Sequence, residues 1–153
     1  MTTVRFVSSV ANGRALIAKR NALAKHLGVN KDEIFPSDYD DDTFEYGNDE
    51  YKVYTDREAT IACNEQIKDS LWAFNSEFLA SYTRVDSKVF EALAGLCEDA
   101  NDAVLSIIEG TKGKTGFTEF AKRAVNEDGR GHFLASYDSE ESECGKFYAY
   151  RTN

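Results

Sequence analysis

The stretch TFEYGNDEYKVYTDRE, residues 43–58, changes period part-way along, and no other feature constrains the fold as tightly. Phe44 and Tyr46 alternate with polar residues, as do Tyr51 and Val53. Alternation of this kind lines one face of a strand. Gly47-Asn48-Asp49 between the two runs is a turn signal, so a β-hairpin is expected across residues 43 to 55. Thr55 stands three residues before Glu58, the spacing of a capping box, in which each side chain satisfies an orphan amide of the first helical turn. A helix is therefore expected to follow the hairpin directly.

Beyond it, Ile67, Leu71, Phe74, Phe78 and Tyr82 recur at three- and four-residue steps. Asn75-Ser76 could divide this helix, and the periodicity does not decide the point. VDSKVFEALAGLCEDANDAVLSIIEG reads as one helix, opened by Asp86 or Ser87 and stopped by Gly110. TGFTEFAKRAVNEDG reads as a shorter one, with Phe117, Phe120, Ala121 and Ala124 inward. At the N-terminus, NGRALIAKRNALAKHLGVN is helical, with Gly28 as its cap. TVRFVSS before it is expected as a short first strand. Near the C-terminus, HFLASYD and KFYAYRT read as strands joined by SEESECG. Helices in the middle and strands near both ends give an α+β class, four or five helices packed on a small antiparallel sheet. At 153 residues the expectation is a single domain, 1–153, with a core burying roughly two-thirds of the unfolded surface.

Charge is placed unevenly. Residues 1–30 carry five basic groups and no acidic ones, whereas 31–58 carry eleven acidic groups against three basic. Phosphate neutralisation supplies most DNA affinity, so this chain is not expected to bind nucleic acid through a broad basic face. An acidic face suits solubility, a basic partner or mimicry of a nucleic acid. The three cysteines, Cys63, Cys97 and Cys144, form no C-x-x-C pair, and are expected to be reduced thiols. No run approaches the roughly 18 apolar residues of a membrane span, and the first 20 residues lack the apolar core of a secretory signal.

Chemical motifs are sparse. GTKGKTG, residues 110–116, ends like a phosphate-binding loop, but Ile108 stands where the first glycine should, and a helix precedes it. DYDDDTFEYGND, from Asp38, places carboxylates like a calcium loop, but has Thr43 at the sixth position and Asp49 at the twelfth. EDGRGHFLASYDSEESE groups His132 with Arg130 and Asp138. There His132 could act as base or metal ligand, Arg130 as anion clamp and Asp138 as orienting acid. In a regular strand, however, His132 and Asp138 share a face about 20 Å apart. Cys63 and Cys97 are placed in helices, where a buried and inert thiol is expected. SLWAFNSEFLASYT, with the single tryptophan Trp72, suits a core or an aromatic docking surface.

SLWAFNSEFLASYT and DGRGHFLASYDSEESECGKFYAYRTN, with VFEALAGLCEDANDAVLSII between them, resemble a group of small uncharacterised proteins of tailed bacteriophages and prophages. The resemblance covers roughly residues 55 to 153. It implies a phage gene expressed in the cytoplasm of an infected bacterium; the group has no established activity, so no catalytic role carries over.

The leading expectation is a non-enzymatic phage accessory protein that modulates a host protein with a basic surface. Its contact residues are Asp38, Asp40, Asp41, Asp42, Glu45, Asp49, Glu50 and Trp72, with the carboxylates gathered unneutralised on one exterior patch. Its sharpest form is a nucleic-acid mimic of the anti-CRISPR or anti-restriction kind. No cofactor, metal, direct nucleic-acid contact or membrane is expected. Two alternatives remain open: a small enzyme or metal-binding protein using His132, and a structural or assembly component of the virion.

Overall fold

The computed structural model describes the backbone of residues 2–113 and 115–153, and the side chains of 13–113 and 115–153. The chain divides into two compact units, residues 1–60 with 130–153, and residues 61–129. The class is α+β: seven α-helices among the described residues and one five-stranded antiparallel sheet.

The first unit holds the sheet. Helix α1 (Thr2–Leu27) ends at Gly28, whose φ of +70° is the left-handed turn a glycine makes at low cost. The strand expected at TVRFVSS is the beginning of α1 instead. Its valines favour a strand only weakly, and extending an existing helix requires no new nucleus. A 3₁₀ turn (Lys31–Glu33), capped by Asn30, leads into β1 (Ile34–Pro36). The hairpin follows as expected, with β2 (Thr43–Tyr46) and β3 (Asp49–Thr55) turning at Gly47-Asn48.

The C-terminal segment differs from its sequence reading. HFLASYD is not a strand; it forms a short helix, α7 (Arg130–Leu134), and a turn. The strands are β4 (Glu141–Cys144), drawn from the expected connector, and β5 (Phe147–Arg151). Two things cause this. Gly131 packs so closely that a Cβ there would stand 2.5 Å from the Ser139 carbonyl oxygen, which holds the turn against α7. Gly145, with φ of +62°, then makes a two-residue hairpin turn that pairs polar β4 with β5.

Strand order is β1-β2-β3-β5-β4, every pair antiparallel. One face meets α1: Leu23 and Ala24 pack with Ile34, Phe44, Val53, Phe147 and Ala149. Each large apolar side chain buried there stabilises by roughly 1.5–3 kcal/mol. Pairing register assigns the other face. Phe35 lies opposite Glu45, and Glu45 opposite Glu50, so these three side chains share the side away from α1.

The second unit is helical. Helix α2 (Asp56–Asp69), whose first five residues belong to the first unit, opens with the expected capping box: the Thr55 amide donates to Glu58 Oε1 at 2.8 Å, and the Glu58 amide to Thr55 Oγ1 at 3.2 Å. The long helix does break, at a 3₁₀ turn (Leu71–Ala73), and Asn75 caps α3 (Ser76–Thr83) by accepting the Glu77 and Phe78 amides. The single helix expected from residue 86 to 110 is two, α4 (Ser87–Ala94) and α5 (Asn101–Lys112), joined by a 3₁₀ turn (Cys97–Ala100). Gly95 in an unbroken helix would cost about 1 kcal/mol, and the break lets both halves bury a face, Phe90 from α4 and Val104 with Ile108 from α5. Helix α5 also runs past Gly110 to Lys112, where Gly113 caps it.

Helix α6 (Gly116–Asp128) ends at Gly129 as expected, and its Phe120 lies 5.1–5.5 Å from the rings of Phe74, Phe78 and Tyr82. Ring pairs at this separation add to the area they bury. No helix among the described residues is long and apolar enough to cross a membrane.

Candidate functional site

The acidic loop between β1 and β2 is organised by its own side chains. Asp40 accepts the Asp42 amide at 2.8 Å and the Thr43 hydroxyl at 2.9 Å, a self-bonded turn that carboxylates favour. Burial alone would raise the Asp40 pKa. These hydrogen bonds and the nearby Lys52 outweigh it and hold the carboxyl below its ordinary value.

Cations from elsewhere in the chain reach this loop. Lys19 on α1 has a side chain only 4 % exposed, and its ammonium lies 2.7 Å from Asp42 and 2.8 Å from Glu58. Burial alone would lower the Lys19 pKa. Hydrogen bonds to the two carboxylates, and their charge, overcome that and raise it. Lys52 sits 3.5 Å from Asp40, and Arg151 is 2.8 Å from Asp49. The carboxylates are therefore not gathered into one unneutralised patch: Asp40, Asp42 and Asp49 are ion-paired. Two of the paired cations, Lys19 and Arg151, lie outside residues 31–58, so the imbalance counted over that segment overstates the charge this surface presents.

Asp38, Asp41, Glu45 and Glu50 make no ion pair among the described residues. Glu50 accepts the Thr152 hydroxyl at 2.7 Å. The register sets Glu45 directly across from Glu50, a like-charge cross-strand pair that disfavours folding. Phe35, opposite Glu45, is 62 % exposed, and Tyr39 in the loop is 97 % exposed. Two aromatic side chains that analysis of the sequence did not single out thus accompany the free carboxylates. Ile34-Phe35-Pro36 is too short to show a period, and only the strand pairing reveals which way Phe35 faces. Trp72, the expected aromatic anchor, belongs to the second unit. It is half-buried in a 3₁₀ turn, its backbone amide donating to Asn101 Oδ1 at 3.0 Å.

The grouping of His132, Arg130 and Asp138 does not become a site. Arg130 donates from Nε to Glu141 at 2.7 Å, and from a terminal nitrogen to Asp56 at 2.8 Å. Its guanidinium lies 4.7 Å from the centre of the Tyr148 ring, and its side chain is 13 % exposed. Glu141 also accepts the Tyr150 hydroxyl. Burial would lower the Arg130 pKa, but the bonds to Glu141 and Asp56 raise it. A guanidinium bound this way ties α7 to β4 and to the start of α2, and is not free to clamp an anion. His132 is exposed, its ring edge-on to Phe133 at 4.9 Å. Asp138 accepts the Glu140 amide at 3.0 Å. No hydrogen bond among the described residues joins His132 to Arg130 or Asp138. The described residues also contain no group of three His, Cys, Asp or Glu side chains able to hold a metal ion.

GTKGKTG connects α5 to α6, and Lys114 within it lies outside the described residues. The Gly113 amide donates to Glu109 and the Gly116 amide to Gly113, so both are used within the chain. Cys63 and Cys144 are buried, whereas Cys97 is exposed in a 3₁₀ turn, with φ of +53°, and is not the buried helical thiol expected. Burial pushes the Cys144 thiol up to about 11.

No family description, curated protein or solved structure matches the chain.

Proposed function

We propose that this chain is a non-enzymatic binding protein, a phage accessory factor that docks on the basic surface of a host protein in the cytoplasm of an infected bacterium. Its contact patch is Phe35, Glu45 and Glu50 on the sheet, with Asp38, Tyr39 and Asp41 on the adjoining loop. The observation that carries this reading is the Glu45–Glu50 pair, set side by side on neighbouring strands, neither ion-paired among the described residues, next to an exposed phenylalanine. Like charges in this arrangement work against folding, and a cationic partner would offset that cost. Aromatic anchors ringed by charge are what interfaces use for affinity and orientation.

Pairing of Asp40, Asp42 and Asp49 narrows the reading. A mimic of nucleic acid presents a long strip of unpaired negative charge, and this patch is short and part aromatic. An anti-restriction or anti-CRISPR role is therefore the more demanding form of the proposal. It rests on the tailed-phage resemblance and four free carboxylates.

The test compares the wild type with an F35A/E45K/E50K variant, each tagged and used to capture partners from a lysate of the natural host. The expected result is a host protein with a basic surface, retained at low salt, released at high salt, and absent with the variant. Retention of the same proteins by both forms would refute the patch, whatever those proteins are.

A further inference from the structure

Backbone bonding fixes how closely the side chains of the contact patch approach one another. The Ser37 amide donates to the Thr43 carbonyl, and the Val53 amide to the Asp42 carbonyl, both at 2.8 Å. Bonded and non-bonded pairs alternate along an antiparallel ladder. Counting back from Ser37 opposite Thr43 makes Phe35–Glu45 a bonded pair, its Cα atoms about 5.5 Å apart. Counting from Val53 opposite Asp42 makes Glu45–Glu50 a non-bonded pair, its Cα atoms about 4.5 Å apart and its side chains at their closest. Phe35, Glu45 and Glu50 thus form one row across β1, β2 and β3 on the side away from α1. Strand β1 is the outer strand, so no further strand of the described residues lies beyond Phe35.

The two carboxylates keep acceptor capacity. Glu50 accepts the Thr152 hydroxyl at 2.7 Å, which anchors it in the row, and a carboxylate has room for further donors. Lys52 stands two residues from Glu50 on the same face but turns to the loop, its ammonium 3.2 Å from Thr43 Oγ1 and 3.5 Å from Asp40.

Two adjacent carboxylates attract any cation, and Phe35, 62 % exposed, narrows the choice. A hydrated metal ion gains nothing from an apolar ring, and the described residues hold no group able to bind one. An ammonium is a strongly hydrated point charge with no flat surface to set against a ring. A guanidinium is planar and weakly hydrated, and carries its donors in a rigid fork. Its face suits the phenylalanine ring, and its edge suits two carboxylates side by side.

On the reading of this face as the contact patch, we infer that the partner's group seated here is an arginine side chain, laid flat on Phe35 and forked between the Glu45 and Glu50 carboxylates, and that lysine does not replace it. Binding it removes the like-charge strain between the two strands, so the bound protein melts higher than the free one.

The probes are three acetylated, amidated six-residue peptides in which glycine alternates with arginine, lysine or symmetrically dimethylated arginine. The last keeps the charge and the plane but blocks the fork. Each is titrated into the full chain at low salt, and backbone amide NMR shifts report both affinity and place. The arginine peptide is expected to bind at residues 35, 45 and 50 about fivefold to tenfold tighter than either of the others, and to raise the melting temperature most. The net charge of −9 draws all three peptides to other acidic surfaces as well, so two variants isolate the row. F35A truncates an exposed ring, and E45Q/E50Q removes a repulsion, so both are expected to fold. In each, the arginine peptide loses its advantage over lysine. Equal binding of the arginine and lysine peptides at the row, or of the arginine and dimethylated peptides, overturns the inference and leaves the basic-partner reading standing. A preference for arginine that persists in both variants also overturns it, because the selectivity then resides elsewhere. Shifts absent from residues 35, 45 and 50 with every peptide overturn the inference and the contact patch together.

Discussion

Replacing Lys19 with methionine separates the paired from the free part of the acidic surface. The ammonium is almost fully enclosed and bonded to Asp42 and Glu58, whereas those carboxylates keep 35 % and 42 % of their side-chain surface exposed. Breaking a fully buried ion pair costs about 3–5 kcal/mol, because one charge is stranded. Here both stranded carboxylates can hydrate, and methionine retains most of the packing, so the cost falls to about 2 kcal/mol. For a chain of this size that corresponds to a melting point lower by about 4–8 °C.

The pH dependence follows from the two shifts. Glu58 is held below its ordinary value of 4.5: burial opposes this, but hydrogen bonds from Lys19 and Thr55 and the Lys19 charge outweigh it. Its contribution is present above that value and lost as pH falls through the lowered one. Lys19 is raised above 10.5, so its contribution is present below that value and lost as pH climbs past the raised one. The gap between wild type and K19M should be widest across the neutral plateau and should close in acid and in alkali. Urea unfolding followed by circular dichroism across pH 3 to 11 measures it. A gap that is absent at neutral pH, or constant throughout, would refute the reasoning. K19M also frees Asp42, so capture of a basic partner at low salt should strengthen as stability falls.

Four further outcomes are expected. Gly131→Ala should destabilise by about 2–3 kcal/mol in urea unfolding, because its methyl meets backbone at Ser139 that cannot rotate away. Thr55→Ala should cost about 1 kcal/mol by removing the cap of α2, and a shift under 0.3 kcal/mol would contradict the capping geometry. Arg130→Met should cost about 2–3 kcal/mol, and Arg130→Lys should recover little of it, since an ammonium cannot fork between Glu141 and Asp56. A disulfide reagent at pH 8 should label one thiol quickly, and Cys97→Ser should abolish that phase. Cys144 should react slowly, its pKa lying near 11, and two fast thiols in the native protein would contradict its burial.

What could be read from the sequence was local. The 43–55 hairpin, the Thr55–Glu58 box and the ends of α1 and α6 each rest on a few adjacent residues whose chemistry forces one geometry. Misreadings arose where a long-range contact decided the outcome. HFLASYD alternates like a strand, yet Gly131 against Ser139 and the Ala135 amide bonded to the Gly131 carbonyl at 2.9 Å make it a helical turn. The helix expected from residue 86 would place Phe90, Leu93, Cys97, Ala100, Val104 and Ile107 on one side, yet Cys97 is exposed and Ala100 is buried. The chain breaks between them so that α4 and α5 each turn an apolar face inward.

The candidate surface shows the same limit from the side of charge. A run of acidic residues is a property of the sequence, whereas an acidic surface depends on where the cations of other segments land. Lys19 comes from the helix before the run, and Arg151 from the last strand. Neither pairing could be read from segment totals, because each depends on sheet order and register. The same register, which sets Lys52 across from Thr43 and near Asp40, leaves Glu45 facing Glu50. One set of strand pairings thus removes charge at one end of the hairpin and concentrates it at the other. A variant that shifted the β2–β3 register by one residue would scramble both, without changing the net charge. Binding to a basic partner should therefore follow the register and not the charge total. A charge-preserving swap of Glu45 with Thr43 tests this directly: retained capture would mean that bulk charge, and not this arrangement, recruits the partner.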